Sequence, residues 1–114
     1  MPYSVTEAFV AWLNNLGYRA STYPPADGVE FVTVERTSGG VESLIDYPSM
    51  AIQVWAQTEP RAEEIANEIR YALLTQSRPA GVAHVSINAG PYRFYDDDTR
   101  LPRYQLVVDC TTHI

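Results

Sequence analysis

Asp96, Asp97 and Asp98, followed by Thr99, form the densest group of oxygen donors in the chain, and carboxylates are the ligands that calcium and magnesium prefer. The spacing argues against a metal. Calcium loops space their ligands at alternating positions, turn sharply at a glycine and close with a bidentate Glu, and neither residue follows here. Asp is also a favoured turn residue, so the run reads as a solvated loop and no metal is expected. His84 falls in a predicted strand and His113 beside the C-terminus, neither placed next to Cys110 or a serine elbow. Glu63–Glu64 sits on an exposed helix face and Asp97–Asp98 in a loop, where carboxylates keep ordinary acidity and do little acid–base work. Gly39–Gly40 lies between predicted strands with no helix or Lys after it, so it reads as a hairpin turn and not as a phosphate loop. Cys110, the one cysteine, cannot close an internal disulfide or a zinc cluster and reads as a small core residue. No catalytic residue and no cofactor is expected.

Contact chemistry, by contrast, is abundant. The chain holds eight Tyr and two Trp, with Tyr18, Tyr23, Tyr47, Tyr92 and Tyr95 in predicted loops. Pro91-Tyr92-Arg93-Phe94-Tyr95 and Arg100-Leu101-Pro102-Arg103-Tyr104 gather further Tyr and Arg on both sides of the acidic turn. Tyr and Arg dominate protein interfaces. A small core also uses Tyr with its hydroxyl at the surface, but the clustering in loops favours a contact surface.

The chain that must carry these groups has 114 residues, 46% of them hydrophobic and 19% charged, a balance that folds and that fits one domain spanning 1–114. Fourteen acids against eight bases leave a net charge of −6, and every base is Arg. Binding to DNA or RNA through clustered cations is excluded on that balance, and so is a polybasic membrane anchor. Apolar runs fall far short of the roughly twenty residues of a membrane span. The start, Met1-Pro2-Tyr3-Ser4, has no signal-peptide pattern, so a cytoplasmic location is expected.

Local signals place the elements. Ser4-Val5-Thr6-Glu7 is a capping box, after which Val5, Phe9, Trp12, Leu13 and Leu16 make a helical stripe ended by Gly17. Prolines and an Asp-Gly pair make 18–28 a loop. Residues 29–36 and 41–46 read as a hairpin around Gly39–Gly40, and 50–56 alternates as a third strand. Thr58 caps a second helix with Glu59 and Pro60 in its first turn, and Ala62, Ile65, Ala66, Ile69 and Leu73 form its buried stripe. Strand 82–89 follows, with Ala83, Val85, Ile87 and Ala89 set against Val82, His84, Ser86 and Asn88; Gly90–Pro91 bends or edges it, and the strand either ends there or continues through Tyr92 to Tyr95. The last strand, 103–112, puts Tyr104, Leu106, Val108 and Cys110 on one face and Arg103, Gln105, Val107, Asp109 and Thr111 on the other. The predicted fold is α+β: two helices on one face of a mostly antiparallel sheet of about five strands, in the order α-β-β-β-α-β-β. The more polar face is left for water or another subunit.

The run Asp46-Tyr47-Pro48, Met50 to Ala56, then Thr58-Glu59-Pro60-Arg61-Ala62-Glu63-Glu64-Ile65-Ala66 resembles the strand and helix core of tail terminator proteins (tail completion or minor tail proteins) of long non-contractile-tailed bacteriophages and prophages. Gly90-Pro91-Tyr92-Arg93-Phe94-Tyr95-Asp96, followed by Arg103-Tyr104-Gln105-Leu106-Val107-Val108, resembles their ending, and the likeness spans nearly the whole chain. The resemblance implies a non-enzymatic subunit of a homo-hexameric ring. Such a ring caps the tail tube, stops its polymerisation and presents a surface to the head connector or neck protein. It implies assembly in the host cytoplasm and then residence in the virion tail, without sequence-specific nucleic-acid binding or membrane contact.

Charge and loop placement suggest the contacts. Arg36, Arg61, Arg93, Arg100 and Arg103 are candidate pairing groups between subunits or rings, and Tyr47, Tyr92 and Tyr95 are candidate anchors. Asp96, Asp97 and Asp98 are either partners of these groups or lumen residues that keep DNA mobile. Competing readings are another head–tail joining protein, a small ligand-binding or enzymatic domain with a pocket holding His84 or Asp109, and an RNA-binding sheet.

Overall fold

The computed structural model describes residues 3–26, 28–94 and 101–113. Helix α1, Val5–Asn15, begins where the Ser4 hydroxyl accepts the Glu7 amide at 3.2 Å. It ends where Gly17, at φ 101°, lets the Gly17 and Tyr18 amides reach the carbonyls of Asn14 and Leu13, a left-handed stop that glycine makes without strain. Helix α2, Glu59–Thr75, begins at Thr58, whose hydroxyl accepts the Arg61 amide at 3.3 Å. Val5, Phe9, Trp12 and Leu13 of α1 and the predicted stripe of α2 are buried; Leu16, predicted on the α1 stripe, sits at the cap and is exposed.

Among the described residues the sheet has seven strands: β1 (Ala20–Ser21), β2 (Phe31–Ser38), β3 (Val41–Glu42), β4 (Ile45–Asp46), β5 (Ser49–Trp55), β6 (Val82–Arg93) and β7 (Arg103–His113). β1, β2, β5 and β7 lie side by side. Val108 pairs with Met50 on one side and Ile87 on the other, so β6 occupies the opposite edge of β7 from β5. All pairings are antiparallel except β1 with β2. Both helices cover one face, where their apolar stripes meet Val32, Val34, Met50, Ile52, Val54, Tyr104, Leu106 and Val108. The α+β class and the one-sided helix layer are those the patterning predicts.

Three local expectations are corrected. β2 does not pair with 41–46; it runs along β5, from Phe31↔Trp55 to Ser38↔Ser49. Val32 and Val34 need an apolar strand beside them, which Ile52 and Val54 supply and the exposed Val41–Leu44 cannot. Residues 41–46 instead fold on themselves through Ser43 and Leu44, both at positive φ, and β4 then extends the sheet beside the end of β7. The loop 18–28 contains β1, held because Asn14 bonds the backbone of Ala20 in both directions, at 3.0 and 3.1 Å. In β6 a register shift between Val82 and His84 breaks the simple alternation, so Val82 and Val85 both enter the core. These additions raise the strand number above the predicted five.

Cys110 is buried in the core, and burial pushes its thiol up to about 11. No described helix is long and apolar enough to cross a membrane.

Candidate interaction surface

The sheet face away from the helices is built from rows of side chains that cross the strands. Pleating sends alternate residues to this face, and the antiparallel register aligns them. At one end Phe31, Trp55 and Arg103 stand in line. Phe31 and Trp55 stack at 4.9 Å, and the Arg103 guanidinium lies 5.0 Å from the Trp55 ring and 4.4 Å from the Phe94 ring, within cation–π range of both.

The next row is a hydrogen-bonded chain over four strands. Thr33 donates to Gln53 at 3.3 Å, Gln53 donates to Gln105 at 2.8 Å, and Gln105 donates to the Tyr92 hydroxyl at 2.5 Å. Each amide's donor and acceptor are used in turn, which fixes their orientation. A row of small apolar groups follows, Ala51, Val107 and Ala89. Beyond it Asp109 takes hydrogen bonds from Ser49 at 2.5 Å and from Asn88 at 2.8 Å. Around Asp109 lies an open recess of about 370 Å³ lined by Tyr47, Ser49, His84, Ser86, Cys110 and Thr111.

The recess brings together the His84 and Asp109 that a small enzyme would use, without assembling a nucleophile. Ser49 spends its proton on Asp109, and the His84 side chain makes no hydrogen bond among the described residues. A serine nucleophile needs a base in hydrogen-bond reach that is itself oriented by a third group. No cluster of three or more potential metal ligands occurs among the described residues. No protein-family model matches the chain, and no curated protein matches it significantly.

The predicted contact residues divide into separate groups. Tyr92, Arg93 and Arg103 gather where β6 meets the start of β7, and Arg93 also lies 3.6 Å from Glu59 of α2. Arg61 pairs with Glu30 at 2.9 Å and with Glu64, joining α2 to the approach of β2; these partners, offset slightly by desolvation, raise its pKa. Arg36 grips Asp46 with two bonds of 2.7 Å, tying β2 to β4, while Tyr47 beside it is exposed. Tyr95, Arg100, Asp96, Asp97 and Asp98 lie outside the described residues. Three of the predicted pairing arginines, Arg36, Arg61 and Arg93, therefore have carboxylate partners inside the chain. Sequence reasoning missed Thr33, Gln53 and Ser49 as members of this surface, because strand register decides which of them face Gln105 and Asp109.

The Arg36 bond holds the Asp46 carboxyl below its usual range, against an opposing desolvation effect. A depressed acid adds stability that is complete above its unfolded pKa and lost as pH falls through the folded value. Asp46→Asn should therefore cost about 1 kcal/mol at pH 7, the upper end for a partly exposed pair with bidentate geometry. Urea titrations at successive pH values should show the gap from the unaltered chain closing as pH drops below about 4.

Proposed function

We propose that the chain is a structural subunit of a bacteriophage tail: it forms a homo-hexameric ring on the tail tube, ends tube polymerisation and forms the tail side of the head–tail joint. The observation that carries this reading is the ordered outer face of the sheet. Gln105 and Thr33 are buried in it, but the part-exposed Asp109 is already fixed by Ser49 and Asn88, so a partner reaching it would cost less side-chain entropy. The order of sequence phrases running through β5, α2, β6 and β7 supports the same reading. On this account the protein works by association alone, and is neither enzyme nor cofactor carrier. Its net charge of −6 suits a ring around a DNA conduit, since an acidic wall does not retain the polyanion passing it.

Adding the purified chain to polymerising tail-tube protein tests the proposal. Elongation should stop, leaving tubes of fixed length. Tubes that keep growing with the chain in excess would speak for a different virion joint or a different role.

A further inference from the structure

Arg70 is the one arginine among the described residues whose side chain makes no hydrogen bond, ion pair or ring contact within the chain. It lies on the outer side of α2, exposed, and helical spacing puts it on one stripe with Glu63, Asn67, Tyr71 and Leu74. Tyr71 is 65% exposed and Leu74 58%. Past Glu63 and Asn67, the C-terminal half of this stripe presents a bare aromatic, a bare leucine and an unpaired arginine, and Tyr and Arg are the types that interfaces enrich.

The opposite side of the molecule offers a matching seat. Among the described residues, Asp109 is the one formal charge lining its recess, with His84 beside it. Each of its oxygens accepts one hydrogen bond, from Ser49 or from Asn88, which leaves lone pairs on both for the two-pronged approach of a guanidinium. Next to Asp109 lie Val107 and Ala89, paired across β7 and β6 and both part-exposed, while Ala51 on the other side of Val107 is buried. Two residues along a strand, Asp109 to Val107, span about 6.6 Å; one turn of helix, Arg70 to Leu74, rises about 6 Å. Both seats can therefore be filled together.

We infer that the outer stripe of α2 in one copy docks on the accessible Asp109 end of the helix-free sheet face of the next, with Arg70 in the Asp109 recess and Leu74 over Val107 and Ala89. The inference rests on the ring reading above and supplies its subunit contact. Because the helix layer and the Asp109 recess lie on opposite sides of each subunit, the contact is head-to-tail, which yields a ring if the rotation closes.

Cross-linking of the full chain carrying Leu74→Cys and Val107→Cys tests the contact. These positions lie on opposite sides of the sheet, so a disulfide between them must join two copies. Cys110, 3% exposed with its thiol pushed up to about 11, does not compete. Mild oxidation should give a ladder of linked chains extending past the dimer on a non-reducing gel. Arg70→Asp should weaken that association about tenfold or more, and adding Asp109→Arg should restore it. The inference fails if the product stops at a doubly linked dimer, or if the exchanged charges give no recovery. It also fails if no link forms where light scattering reports oligomers, or if the chain stays monomeric and unlinked even with tail tubes present. Tube capping without the 74–107 link would overturn this contact alone; the link without capping would overturn the tail reading and leave the contact standing.

Discussion

Leu106→Ala should lower the unfolding free energy by about 3–4 kcal/mol, a large share of the 5–15 kcal/mol typical of a domain this size. Leu106 lies in the central strand β7, pairs with Ile52 of β5 and is completely buried under the helix layer. Truncation removes its transfer free energy and leaves a cavity, and neighbours in a close-packed core relax only partly to fill it. Leu74 provides the contrast: it is 58% exposed on α2, so Leu74→Ala should change stability by no more than about 0.5 kcal/mol. Urea denaturation checks both, through a lower midpoint at constant slope for Leu106→Ala and little change for Leu74→Ala. Equal losses at the two sites would mean that the helix layer does not cover the sheet as described.

Gly39→Ala should cost at least about 2 kcal/mol, whereas Gly40→Ala should be neutral or slightly stabilising. Gly39 sits at φ 117°, and a Cβ there would lie 2.2 Å from the Tyr47 carbonyl oxygen and 2.7 Å from the Pro48 Cα. Both obstacles are backbone, so the chain itself must shift. Gly40 has open space where its Cβ would go, and an added methyl there chiefly removes freedom from the unfolded chain. The same approach lets the Tyr47 amide bond the Gly40 carbonyl at 3.0 Å, which holds the β3–β4 hairpin against the end of β2 and sets Asp46 opposite Arg36. Thermal unfolding of the two variants decides the matter; a Gly40 substitution that hurts as much as Gly39 would contradict this geometry.

The legible part of the fold is the part written in local chemistry. Ser4, Gly17 and Thr58 mark helix ends because their side chains, or lack of one, act within a few residues. The stripes of α1 and α2 and the alternation of Met50, Ile52 and Val54 report one buried face each. Pairing is non-local, which is why β2 was expected beside 41–46 and is found beside β5. Two-residue strands such as β1, β3 and β4 are too short to show a period at all, and β1 depends on a side chain, Asn14, in a different element.

The surface was legible by halves. Alternation marks Arg103, Gln105 and Asp109 of β7 and His84, Ser86 and Asn88 of β6 as polar faces, but Thr33, Gln53 and Ser49 join them only through register. Arginines likewise announce pairing without naming the partner. Arg36 and Arg61 turn out to bind acids of their own chain, and Arg70, unremarkable on an exposed helix face, is the one left available among the described residues.

The central claim is that this chain acts by capping a tail tube as a ring. Electron microscopy of tail tubes lacking a cap, mixed with the purified chain, tests it most directly. The account predicts one added ring, with sixfold symmetry when viewed along the tube, at one end only and no further growth from that end. Bare ends in an excess of folded protein, or chain bound along the tube wall without regard to the end, would contradict it.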